Sequence, residues 1–264
     1  MKRNTILALL LALAATATAQ SWSDAFYDAL NADDYARQRT ILAQWQHDTP
    51  DDIDLYIARF NHYINGAMLA EGNAADKLVD SAITVIDTAI SHYPDRLDLR
   101  FGKIFFLGQI MHWQPFADEI LLTLDRSEQT GHRWQFPNFD QGGRILIVEG
   151  VQDYLYTLAD AIAQPDKPTP ADTVIALQMR RIAHRAAQLF PSDITTLKHL
   201  AYSHIILADY DNALRHLLRA EKIDPNDPVV LEHLVTVYTK IKKPKLASQY
   251  KTRLQQLRQT ETAD

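Results

Sequence analysis

Apolar residues recur at intervals of three and four along nearly the whole chain, and period-two runs of Val, Ile and Thr are nearly absent. That spacing lays an apolar stripe along one side of an α-helix, so the pattern predicts an all-α chain. Prolines then divide it. Pro50, Pro94, Pro191 and Pro225 each follow a helical segment and are followed shortly by another. A proline cannot continue a helix, so the pattern predicts helical hairpins repeating down the sequence.

In the C-terminal half the repeat has a countable period. Leu197, Leu200, Ala201, His204 and Ala213 recur 34 residues later as Leu231, Leu234, Val235, Tyr238 and Ala247, and Ala186 and Pro191 recur as Ala220 and Pro225. Ala213 and Ala220 lie two turns apart on one helical face with Leu217 between them, where small side chains let neighbouring helices approach closely. Ala82, Ile86, Ala89 and Pro94 reproduce that spacing upstream, and the segment "DDYARQRTILAQW" before Pro50 reads as the second helix of a degenerate first unit. This pattern resembles the tetratricopeptide repeat (TPR), whose unit is two antiparallel helices with small residues at their crossing and a proline after the second. The resemblance covers most of residues 33–258 and is specific in the last two units. It implies a right-handed α-solenoid of about five to six helix pairs with one aromatic loop insertion. The final unit departs from the pattern, with Lys251 and Leu254 at usual small or aromatic positions, as befits a terminal repeat.

The expected organisation is a signal peptide over residues 1–19, degenerate repeats over 20–127, an insertion over 128–143, an interrupted repeat over 144–192, two recognisable repeats over 193–258 and a tail over 259–264. The insertion, "EQTGHRWQFPNFDQGG", carries turn formers and aromatics without a helical stripe. A second break, "AQPDKPTPAD", separates two helices read as one repeat with a stretched loop. Trp113 and Pro115 are expected in a turn between helices.

Composition narrows the function classes. Lys2 and Arg3, an apolar run from Ile6 to Ala15 and the Ala17-Thr18-Ala19 site predict export, with cleavage after Ala19, to the periplasm or the medium. No later segment is apolar enough to span a membrane. With no cysteine there is neither a disulfide, a thiolate metal site nor a lipidated cysteine. Acidic residues, 33 against 27 basic, argue against nucleic acid as a partner. The charge is uneven: residues 20–170 carry a net of −12 and residues 171–264 a net of +4.

No metal-hydrolase, nucleophile-elbow, P-loop or dinucleotide motif is present, and no cofactor or metal is expected. The resemblance instead implies a protein or peptide partner in the cell envelope, bound on the concave face that first helices line. Carried over position by position, it puts Lys198, His199, Tyr202 and Ile206, then Glu232, His233, Thr236 and Lys240, on that face. His199 and His233 coincide in register; merely solvated polar positions are the favoured reading of such histidines, against a groove that hydrogen-bonds a peptide backbone or acidic side chain. In the insertion, Arg133, Trp134, Phe136 and Phe139 either pack or present an anchor. Three readings compete: a non-catalytic interaction scaffold, a small-ligand or catalytic site where the insertion meets the groove, and a self-associating structural protein drawn together by the charge asymmetry.

Overall fold

The computed structural model describes residues 21–137 and 142–261; the expected signal peptide and cleavage site, and Phe139 of the insertion, lie outside the described residues. Twelve helices are found among the described residues: α1 Trp22–Asn31, α2 Tyr35–Asp48, α3 Ile53–Leu69, α4 Asn73–His92, α5 Leu97–Gln109, α6 Trp113–Gln129, α7 Gly143–Ala161, α8 Pro170–Leu189, α9 Ile194–Ile206, α10 Tyr210–Ile223, α11 Pro228–Lys240 and α12 Pro244–Glu261. The all-α expectation holds. Residues 21–103 with 134–137 form one compact unit, and residues 104–133 with 142–261 form another.

The four prolines mark one recurring turn. Thr49, Tyr93, Phe190 and Asp224 close α2, α4, α8 and α10 by donating their N–H to the carbonyls of Trp45, Ala89, Ala186 and Ala220 at 2.8–3.0 Å, and a proline follows each. Two residues beyond the proline an aspartate starts the next helix: Asp52, Asp193 and Asp227 accept from the backbone N–H of Asp54, Thr196 and Val230. Such caps satisfy amides that the first helical turn leaves without partners.

The turn after Pro94 has Arg96 where the others have aspartate, and the insertion supplies what is missing. The carbonyl of Gln135 accepts from the N–H of Leu97, the first residue of α5, at 3.0 Å, and the Gln135 N–H donates to Asp95 at 2.8 Å. Beside this bridge the Arg100 guanidinium stands 6.0 Å from the Trp134 ring centre, and Phe136 meets Phe101 edge-on at 6.4 Å. The aromatic insertion therefore packs on and caps α5.

Turns inside hairpins share a second design. Asp33, Met111, Ala208 and Lys242 adopt φ of 53° to 58° between α1 and α2, α5 and α6, α9 and α10, and α11 and α12. One left-handed residue reverses the chain within three positions, although none of the four is glycine. Trp113 and Pro115 stand in the first turn of α6 rather than in the preceding turn, because the left-handed Met111 completes the reversal before them. The insertion also starts later than expected, since α6 continues through Gln129.

In the second unit α9 packs on α8, α10 and α11, and α11 packs on α10 and α12. Ala213, Leu217 and Ala220 are wholly buried, as the 34-residue spacing predicts, and Ala186 is too. In the first unit the core gathers Phe26, Ala29, Ile41, Leu42, Trp45, Leu55 and Ala58. Counting back from Pro50 as from Pro225, Gln38 and Trp45 stand where the later repeat has Ala213 and Ala220. Both are buried with their polar ends satisfied. Gln38 accepts from His62 Nδ1 at 2.8 Å, and Trp45 Nε1 donates to Asp52 at 2.9 Å. Tyr35 stacks on His62 with ring centres 4.1 Å apart, and its hydroxyl sits where a Cβ on Gly66 would be, only 1.9 Å away. A Cβ at that position would displace the Tyr35 ring from its stack on His62.

Candidate functional site

First helices of the second unit line a cleft of about 310 Å³ walled by Tyr156, Ala159 and Asp160 of α7, Lys198, His199 and Tyr202 of α9, and Val229 and His233 of α11. The side chains follow a rule set by helix geometry. Residues four apart lie on one face, so Gln152 and Tyr156 on α7 match Lys198 and Tyr202 on α9. Gln152 donates to Asp193, the cap of α9, at 2.8 Å; Lys198 pairs with Asp227, the cap of α11, at 2.8 Å. One turn later each tyrosine meets a histidine of the following first helix. Tyr156 approaches His199 edge-on at 4.6 Å, and Tyr202 stacks on His233 at 5.5 Å with planes 6° apart. The result is a ladder of Tyr–His pairs across three helices.

The two histidines differ chemically. His199 is buried and its Nδ1 donates to the Thr195 carbonyl at 2.9 Å, which leaves Nε2 as the acceptor nitrogen. Burial lowers its pKa, and the neighbouring Lys198 adds to that. His233 has no such bond. Its Nδ1 is buried without a hydrogen-bond partner, and burial, with His199 and Lys198 nearby, lowers its pKa to about 4. The imidazole is thus neutral at pH 7 and keeps an unused polar atom. Burial also raises the pKa of Tyr202, which stays a phenol.

The residues expected on this face fare unequally. Lys198, His199, Tyr202 and His233 come together at the cleft. Ile206 is corrected: it is 5% exposed, packed in the core at the last turn of α9, and has no surface to offer. Glu232 and Lys240 are exposed on α11 away from the cleft lining, Glu232 lying 3.3 Å from Arg258, and Thr236 turns its hydroxyl back onto the Glu232 carbonyl. In the insertion Trp134 and Phe136 pack on α5, and Arg133 is exposed.

Tyr156 and Asp160 are cleft residues that sequence reasoning missed. The signal was present: Gln152 and Tyr156 repeat the spacing of Lys198 and Tyr202, but 46 residues apart rather than 34, because α7 has 19 residues and the link to α8 is long. Val229, 42% exposed, and Tyr156, 48% exposed, supply the apolar wall.

No family model and no curated protein matches this chain. Among solved structures it is similar to PilW, described as a widely conserved type IV pilus biogenesis factor, with 13% identity over 89% of this chain and 90% of that one at a TM-score of 0.40. It is also similar to a double mutant of MamA, with 13% identity over 92% of this chain and 96% of that one at a TM-score of 0.35.

Proposed function

We propose that this chain is a non-catalytic, tetratricopeptide-like scaffold of the cell envelope that binds an extended segment of a partner protein in the cleft along α7, α9 and α11. The observation that carries the reading is the unpartnered Nδ1 of His233 in a cleft walled by the exposed side chains of Tyr156 and Val229. A buried polar atom without a partner costs on the order of 1–3 kcal/mol. A peptide laid across the ladder recovers that cost when a turn of the His233 ring brings the atom to its backbone, and it covers the apolar wall at the same time. Flat aromatic rings lose little conformational freedom on binding, so Tyr156 and Tyr202 suit the role of anchors. The acids and bases around the cleft serve positioning rather than chemistry: Lys198 is held by Asp227, and Asp193 is held by Gln152.

The test is peptide selection by display on the mature protein, followed by fluorescence anisotropy with the Tyr202→Ala/His233→Ala double variant. Binding should weaken at least about tenfold, the scale of losing one anchoring side chain, while helicity is unchanged. A folded double variant that binds as tightly as the parent would sink the groove reading.

A further inference from the structure

Second helices of the same unit carry another cleft, of about 610 Å³, on residues that the peptide groove does not use. It is lined by Arg180, Arg181 and His184 of α8, His204 of α9, Asp209 of the turn, and Asn212, Arg215, His216 and Arg219 of α10. A chain of net charge −6 has gathered four arginines and three histidines here around one carboxylate.

The neighbouring contacts between second helices show how unusual this is. From α6 to α8, Asp118 holds Arg181, while Asp125 and Glu128 hold Arg185, all at 2.5–2.7 Å. From α10 to α12, Glu221 holds Arg253 at 2.6 Å. Between α8 and α10 the facing groups are cationic on both sides. Among the described residues Arg180 makes no ion pair, Arg215 donates only to the side-chain oxygen of Asn212, and Arg219 donates only to the Pro191 carbonyl. Asp209 is already committed, accepting from His204 Nδ1 at 3.0 Å and from Asn212 at 2.7 Å.

A second, independent feature lies in the same cleft. His216 is 9% exposed, stacks on His204 with ring centres 5.5 Å apart, and has a buried Nδ1 with no hydrogen-bond partner. The charged and basic groups that act on it are His184 on α8, His204 on α9, and Arg215 and Arg219 on its own helix, while Asp209 of the turn lines the same cleft and is held by His204. Burial and this surround keep the ring neutral, with a pKa lowered to about 4.

We propose that the α8–α10 cleft is a binding site for a polyanionic phosphoryl group, seated between Arg180, Arg215 and Arg219 and completed by His216. Three guanidinium groups with no carboxylate partner call for more than one negative charge, and their planar N–H forks match phosphate oxygens two at a time. A cleft of about 610 Å³ also exceeds a single phosphate and has room for two linked phosphates or a phosphorylated molecule. The bound anion reverses the local field, so the His216 ring takes up a proton and donates to it.

The test uses the full mature chain and three probes: pyrophosphate, inorganic phosphate and a hexaglutamate peptide. Calorimetry at low ionic strength should give saturable pyrophosphate binding, tighter than phosphate and weakening as salt rises. In Arg180→Gln/Arg219→Gln it should weaken at least about tenfold, the usual scale for losing charge-assisted bonds. Arg219 is exposed and Arg180 half-buried, and unchanged circular dichroism identifies a folded variant. Histidine ring NMR supplies a second readout, because pyrophosphate should raise the titration midpoint of His216 in the parent and leave it in place in the variant. The Tyr202→Ala/His233→Ala protein should bind pyrophosphate normally, which separates this site from the peptide groove. Absence of saturable binding, an unmoved His216, or preference for hexaglutamate over pyrophosphate would each overturn the proposal.

Discussion

The second helix of the first hairpin and the second helix of the fifth occupy the same place in their repeats, yet they solve the crossing differently. α10 presents Ala213, Leu217 and Ala220, and close approach follows from small volume. α2 presents Gln38, Leu42 and Trp45, all buried, and volume is accommodated because the polar atoms have specific partners in His62 and Asp52. The lesson is that a repeat position tolerates a large residue when its neighbours supply both room and hydrogen bonds. Gly66 supplies room by admitting the Tyr35 ring that stacks on His62.

The contrast can be broken most forcefully at Trp45. Trp45→Ala should lower stability by about 3–5 kcal/mol in urea denaturation, since it leaves a ring-sized void and strips Asp52 of a bond. Next comes a reciprocal exchange. Gln38→Ala installs the residue that α10 uses, yet it should destabilise by about 1–3 kcal/mol, because His62 loses the acceptor for its Nδ1. Ala213→Gln makes the opposite exchange and should cost a similar 1–3 kcal/mol by overpacking a wholly buried site without a partner. If Gln38→Ala instead stabilised the protein, the polar account of α2 would be wrong.

The smallest effect at neutral pH is acid sensitivity. His62 has a folded-state pKa lowered to about 4 from 6.5, chiefly by burial and secondarily by Arg39. Its contribution is fully present above about pH 6.5 and is lost as pH falls from there toward 4, because the unfolded chain binds the proton that the folded chain resists. The denaturation midpoint should therefore decline across that window, and less steeply in His62→Gln than in the parent.

These comparisons explain what could be read in advance. The 34-residue spacing exposed α9 to α12, because alanines at crossings and prolines after second helices are side-chain signals with fixed positions. The first hairpin was harder, since Gln38 and Trp45 break the small-residue rule and are compensated by His62, 24 residues beyond Gln38, and by Asp52, seven beyond Trp45. The cleft was half legible. Lys198, Tyr202 and His233 fell into register, whereas Tyr156 was displaced by the longer α7 and the loop that follows it. Ile206 was misplaced because a 13-residue helix turns its last residue inward just before the chain reverses at Ala208. The basic cleft was hidden for another reason: its arginines come from two helices about 35 residues apart, and only packing reveals that the one carboxylate among them, Asp209, is already held by His204 and Asn212.

The cap on α5 bears on the order in which the chain takes shape. Asp52, Asp193 and Asp227 are made immediately before the helices they start, so those helices can begin as they leave the ribosome. Leu97 must wait for Gln135, 38 residues later, before its amide has an acceptor. During synthesis the first turn of α5 is therefore expected to have only water on this amide until the insertion follows α6 out. Only when the stretch with Trp134 and Phe136 emerges and folds back is that end sealed, so the insertion acts as a late latch in a chain that otherwise winds in order.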